Sequence, residues 1–242
     1  MKVASRNAQR PGHDDVNIRG SVRQLVDETR SFGGVAALRS LGYRALNKIL
    51  PIRILLGMTA VLDDVDRTLF DTSGFAVRLA ADDELRAAAG EPEWAAEMPR
   101  SFVDQALARG DECVGIFDGK RLVSIGWYAR TPTPISPSLV LHFDAAWTYM
   151  YKGFTLKSHR GKRLHGIGMT FALQHFTDRG ARGLISYVEF DNLMSLRSVE
   201  RMGYRLFGDI YVARIGGRER LWSTPGCRPY AFYLIRAESP HA

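Results

Sequence analysis

The sequence predicts an α+β domain, and three observations carry that reading. From about Gly74 onward, short apolar runs with strand spacing alternate with helical stretches. Asp118-Gly119 joins two such runs, a strong hairpin signal. A strand running to Leu156 then feeds a basic loop and a helix from about Leu164, with a further strand–helix pair behind it.

Residues 1–20 are polar throughout and read as a disordered arm with no apolar signal-peptide core. Residues 21–73 read as a basic helical extension. Val22, Leu25, Phe32, Val35, Leu38, Leu41, Ala45 and Ile49 recur at one- or two-turn spacing, with arginines and Lys48 between them. A helix of this kind packs on its own domain or lies on an anionic surface, so residues 35–56 are a candidate for peripheral membrane contact. Over Ser21 to about Leu50, where the helical pattern runs, Gly33, Gly34 and Gly42 favour packing on the domain.

The domain proper is expected over residues 74–242. Phe75 to Leu79 reads as a strand, and Ala81-Asp82-Asp83-Glu84 opens a helix with acids where the helix dipole favours them. Pro99 to Arg109 is a second helix. Cys113–Phe117 and Leu122–Tyr128 are the hairpin strands. Thr131 to Pro137 reads as a loop, because its prolines cannot serve a ladder. Strands follow at Leu139–Phe143 and Trp147–Leu156. After the basic loop come a helix (164–179), a strand (184–190), a helix (193–202) and strands at 204–213 and 230–235.

The net charge of +7 favours anionic partners without choosing among them. Cys113 and Cys227 are the only cysteines, which excludes a disulfide framework and any Cys/His metal spacing; no metal is expected, and a reducing cytoplasm is. No apolar run reaches the length of a membrane span; the nearest, Ile49 to Leu62, is interrupted by Pro51 and Arg53. There is no helix-turn-helix, zinc or RNP pattern, so nucleic acid is not an expected partner.

Cations crowd the segment Lys157 to His165, just before a helix whose first amides are free: an anion trap in its own right. Two registers of an Arg-x-x-Gly-x-Gly phosphate loop compete there. Arg163-Leu164-His165-Gly166-Ile167-Gly168 matches it intact; Arg160-Gly161-Lys162-Arg163-Leu164-His165 matches it with Arg163 and His165 in place of the later glycines.

From about Phe75 to Ile235 the chain resembles the GNAT superfamily of acyl-coenzyme A N-acyltransferases. In that family an Arg-Gly-x-Gly-x-Gly loop follows a strand, a helix and strand come next, and then Asn-x-x-Ala/Ser with a closing Gly-Phe. The loop arginine precedes the asparagine by about 32 residues. Arg160 stands 32 positions before Asn192, and Gly180, Ser195 and Gly203-Tyr204 occupy the downstream positions. The resemblance therefore favours the register through Arg160.

The implied fold is a mixed, mostly antiparallel sheet flanked by helices and splayed between the family's fourth and fifth strands. The implied co-substrate is acetyl-coenzyme A or a longer acyl-coenzyme A. Its pantetheine arm would lie along Phe154, Thr155 and Leu156 and its pyrophosphate against Arg160, Gly161, Lys162, Arg163, Leu164 and His165, with Asn192 in contact. The acceptor would be a small-molecule, lipid-precursor or peptide amine, with an acidic acyl carrier protein as an alternative acyl donor. Location would be cytoplasmic, with contact at the inner membrane face if the basic helix lies there.

The family's usual proton donor is a tyrosine seven residues after the asparagine, and here that position is Val199. Glu189, Tyr151 and Tyr149 are the catalytic candidates in that order, followed by Asp144, with His142 also near the acceptor side. Each has a plain alternative: alternating aromatics on a strand are usually half-buried packing, and a carboxylate at a strand end is usually solvated.

Overall fold

The computed structural model describes residues 42, 43, 47, 52–72, 74–216 and 218–237. In chain order these form β1 (Ile52–Ala60), β2 (Ala76–Leu79), α1 (Asp82–Ala88), α2 (Pro92–Ala95), α3 (Arg100–Ala108), β3 (Glu112–Asp118) and β4 (Arg121–Ala129). Then follow β5 (Thr133–Ser136), β6 (Leu139–His142), β7 (Trp147–Thr155), α4 (Leu164–Asp178), β8 (Gly183–Glu189), α5 (Leu193–Arg201), β9 (Arg205–Ile215), β10 (Arg218–Ser223) and β11 (Tyr233–Arg236). Short 3-10 turns occupy Leu62–Asp64, Arg67–Phe70, Lys157–His159 and Pro225–Tyr230.

Eight strands make one sheet in the order β10-β9-β1-β8-β7-β4-β3-β2, and β11-β6-β5 make a second. Every pairing is antiparallel except β7 with β8. That parallel pair needs a crossover, which α4 supplies, as such connections generally require. One face of the large sheet is covered by α4, by α5 and by the residue that follows α5, through Met169, Leu173, Phe176, Leu196, Val199 and Met202. On the other face, α1–α3 pack over β3 and β4 through Leu85, Trp94, Met98 and Val103. The small sheet and the last 3-10 turn cover the remainder through Leu139, Leu141, Cys227 and Phe232.

Three expectations need correction. The helical extension expected over 21–73 does not hold at Ile52–Ala60, a strand paired on both edges by β8 and β9. After Arg53 the strand is nearly all apolar because both of its faces are covered, and such strands lose the alternation that advertises them. The boundary expected at residue 74 thus falls inside the sheet domain, and residues 52–56 of the proposed membrane-contact segment lie in a central strand. Within the rest of that segment Tyr43 donates to the Ile52 carbonyl at 2.7 Å and Asn47 Oδ1 accepts from Ile52 N–H at 2.6 Å, fastening the start of β1. The arm expected at 1–20, and the residues of the extension before Ile52 other than Gly42, Tyr43 and Asn47, lie outside the described residues. Second, Thr133–Ser136 is a strand where a loop was expected; β5 sits on the edge of the small sheet, paired only with β6, where Pro134 is tolerated. Third, the expected strand near Tyr230 starts only at Tyr233, behind the 3-10 turn.

Gly203 ends α5 at φ +83, and a Cβ there would press on the Asp64 carbonyl and stand 3.2 Å from Val65 Cα. Gly203→Ala combines a left-handed backbone with a backbone clash. It is expected to cost about 2–4 kcal/mol, read as a lower urea midpoint at unchanged m-value.

No helix among the described residues is long and apolar enough to cross a membrane.

Candidate active site

β7 and β8 pair over only three positions, Trp147–Tyr149 against Gly183–Ile185. Beyond that the strands separate. β7 continues on β4 alone, to Thr155 against Ser124, and β8 continues on β1 alone, to Glu189 against Leu55. At the apex the Ser186 hydroxyl donates to the Met150 carbonyl at 2.7 Å.

The cause of the divergence is local. Tyr128 pairs with Met150 and Trp127 with Lys152, leaving Tyr151 as an extra residue in β7. A bulge of this kind bends its strand and frees one residue's backbone from the ladder. Tyr151 and Lys152 both reach Phe102 of α3: the Tyr151 ring is 6.2 Å from it, and Lys152 Nζ is 5.4 Å from its centroid. The resulting gap encloses about 350 Å³, between β7 residues 150–155, β8 residues 186–189 and the first turns of α5.

The gap continues into a second cavity of about 790 Å³, the two sharing Thr155, His165 and Ser198 in their walls. This outer cavity opens over the N-terminus of α4. The first intrahelical bond there is Ile167 N–H to Arg163 O, so the amides of Leu164, His165 and Gly166 have no intrahelical acceptor, and all three residues line the cavity. Arg160, Arg163, Arg197 and Arg201 also line it, opposed by one carboxylate, Asp66. Free amides, the positive end of a 15-residue helix and the guanidinium groups of Arg160, Arg197 and Arg201 suit a diphosphate.

Arg163 occupies a left-handed conformation, φ 59 and ψ 14, immediately before α4. That backbone ordinarily selects glycine, and an arginine there costs about 1–2 kcal/mol. Its guanidinium is turned away to the Thr68 hydroxyl (2.9 Å) and Asp66 (3.4 Å). The loop thus keeps a glycine-type backbone at the position where the register through Arg160 requires one. Gly166 and Gly168 instead lie within α4, where a Cβ would stand 2.9 Å from Leu69 and 3.2 Å from Ile116. They let the helix approach its neighbours.

Arg160 donates to the Thr155 carbonyl at 3.3 Å and lies over Phe154. Phe154, Thr155 and Asn192 line the gap, and Asn192 Oδ1 also caps α5 by accepting from Ser195 N–H at 3.1 Å. Two expected contacts are not brought there. Leu156 is buried in the core with its N–H bonded to Val123 O, and Lys162 sits over Phe75, outside both cavities.

The catalytic candidates meet mixed circumstances. Glu189 lines the gap, but its Oε1 accepts from Arg53 Nη2 (2.5 Å) and Nε (3.1 Å). Tyr151 lines the gap too, but its hydroxyl donates to Asp111 Oδ2 at 2.9 Å, a carboxylate also held by Arg109 at 2.7 Å. Burial, and then the Asp111 charge, push the Tyr151 hydroxyl well above its ordinary value, so it stays protonated. Tyr149 is buried beneath the apex and stacks with Tyr187; burial raises its hydroxyl as well. Asp144 accepts from Ala146 N–H and His142 stacks on Tyr233, and neither lines the gap.

Sequence reasoning missed Arg53, Ser186 and Lys152. Burial lowers the Lys152 ammonium below its usual range, and Glu97 stands 3.9 Å from it. Arg53 belongs to a segment read as helical, and Lys152 faces the same side as Tyr151 only because of the bulge.

No family model matches the chain, and no curated protein matches it in sequence. Several solved structures are similar to it. A GCN5-related N-acetyltransferase-like protein from Streptococcus suis matches at 14% identity and TM-score 0.43, over 74% of this chain and 67% of that one. A GNAT-family acetyltransferase from Colwellia psychrerythraea matches at 15% identity and TM-score 0.45, over 72% and 60%. A conserved protein of unknown function from Staphylococcus epidermidis matches at 13% identity and TM-score 0.48, over 69% and 64%. This chain spans roughly three fifths to two thirds of the length of such structures.

Proposed function

We propose that the protein is an N-acyltransferase that moves an acetyl or longer acyl group from acyl-coenzyme A to an amine by direct attack in a ternary complex. The observation that carries this reading is the fork between β7 and β8, continuous with a cationic cavity over the N-terminus of α4. A thioester on a flexible arm with a diphosphate tail has the two-part chemistry this path accommodates. The outer cavity would hold the diphosphate through the α4 amides and Arg160. The strand edges freed by the bulge would offer backbone hydrogen bonds to the arm and polarise the thioester carbonyl.

The placement of the two cysteines supports direct attack over a cysteine-bound acyl intermediate. Cys113 and Cys227 are both buried and line neither cavity, and burial raises both thiols, so no cysteine is placed to take the acyl group. The acceptor remains a small-molecule, lipid-precursor or peptide amine.

A second reading has its own support. Val199 lines the gap with no hydroxyl, and Tyr151 and Glu189 are already engaged, an arrangement that also suits a module binding acyl-coenzyme A without turnover. Thermal shift with acetyl-, long-acyl- and free coenzyme A tests what the two readings share: a ligand at about 100 times its Kd stabilises by about 2.7 kcal/mol, which raises Tm. Release of free thiol with an amine panel then separates them. A protein that shifts but releases none over background is a binder.

A further inference from the structure

Five titratable side chains line the gap: Tyr151, Lys152, His165, Tyr187 and Glu189. Four have partners. Tyr151 donates to Asp111, Lys152 faces Glu97, Glu189 is held by Arg53, and Tyr187 stacks on Tyr149. Neither ring nitrogen of His165 has a hydrogen-bond partner among the described residues.

The position of that ring is specified by its surroundings. His165 lies in the first turn of α4 and is half-buried against the bare backbone of β7 at Gly153. A Cβ on Gly153 would collide with the imidazole Cε1 and lie 2.8 Å from Nδ1. The ring therefore occupies space that β7 leaves open by carrying glycine, two residues beyond the bulge. It also stands in the wall common to the gap and the outer cavity, so a group lying along the path passes it. Burial lowers its basicity, so the ring rests in its neutral form with a nitrogen lone pair to offer.

We propose that His165 carries the proton from the attacking amine to the departing thiolate, in place of the hydroxyl that Val199 does not provide. This rests on the acyl-transfer reading above. The amine nitrogen bonds to the thioester carbon and becomes positive as the carbonyl π pair moves onto oxygen, from which it returns when the thiolate is expelled. One of its protons passes to an imidazole nitrogen, the carbon–sulfur bond breaks with its electron pair going to sulfur, and the same proton passes from the imidazolium to sulfur. Amide and free thiol leave, and the ring returns to its neutral form. No further reactant is needed.

The test uses the full chain with His165→Gly and His165→Gln, acetyl-coenzyme A, and methylamine, glucosamine and a lysine-containing peptide as acceptors. Each variant is expected to keep saturable binding of acetyl-coenzyme A, while kcat measured at saturating acetyl-coenzyme A falls by about 10²–10⁴-fold. Added imidazole is expected to restore the His165→Gly variant at least tenfold and to leave His165→Gln unchanged. Turnover within threefold of the parent in both variants overturns the proposal. So does a loss that imidazole does not relieve in a variant that still binds acetyl-coenzyme A, since that marks the ring as packing alone. A parent protein that binds no acetyl-coenzyme A, or releases no thiol with any of the three amines, overturns the acyl-transfer reading itself.

Discussion

Arg160→Glu is expected to weaken acetyl-coenzyme A binding by about 30- to 1000-fold, about 2–4 kcal/mol. The substitution removes a charge-assisted donor and puts a carboxylate where the ligand's diphosphate would lie. Arg163 provides the contrast. Its guanidinium is committed to Thr68 and Asp66, and its backbone already adopts the conformation that glycine prefers. Arg163→Gly exchanges those contacts for relief of the left-handed strain, so binding within about threefold of the parent is expected, with stability changed by about 1 kcal/mol or less. Calorimetric titration of the two variants reads the result. The opposite ranking would place the phosphate loop in the register through Arg163, with Gly166 and Gly168 as its glycines.

Gly153→Ala carries the second large effect. The added methyl cannot coexist with the His165 ring where it now lies, so the ring must leave the wall of the gap or β7 must shift. Overpacking of this kind costs about 1–3 kcal/mol in stability, and turnover is expected to fall at least tenfold. The informative experiment is the double variant. With His165→Gly in place the new methyl meets little, so the stability cost of Gly153→Ala is expected to drop by about 1–3 kcal/mol in that background. Additive costs, measured by denaturant midpoints, would show that the two positions do not touch.

Much of the fold was legible because local chemistry and global architecture agree. Asp118-Gly119 marks the β3–β4 hairpin, where Gly119 takes φ +59. The helices α4 and α5 follow their apolar spacing to within a residue or two. The failures share one physical origin: a strand's signature depends on what covers it. β1 is covered on both faces and shows no alternation. β5 tolerates Pro134 because only one of its edges is paired. β10, RERLWS, lies on an open edge and carries three charges, and its two apolar residues, Leu221 and Trp222, are adjacent, so no alternation announces it.

The candidate site divides along the same line. The cationic loop could be read directly, since charge and spacing are properties of the chain. The bulge could not, because it exists only in the register between β4 and β7. The engagement of Glu189 by Arg53 and of Tyr151 by Asp111 joins residues 136 and 40 positions apart, so their availability as bases was not visible in sequence. Val199 was legible as a missing hydroxyl. His165 stands in the sequence as a phosphate-loop residue, and the approach of its ring to Gly153 exists only in the fold.

Calorimetric titration of the full chain with acetyl-coenzyme A, run beside adenosine diphosphate, tests the central claim most directly. Both ligands can reach the α4 amides, but only the first has an arm to thread between the separated strands. One-to-one binding is expected for each, with acetyl-coenzyme A at least tenfold tighter. Equal affinities would mean that the gap holds nothing, and no saturable heat with acetyl-coenzyme A would contradict the account outright.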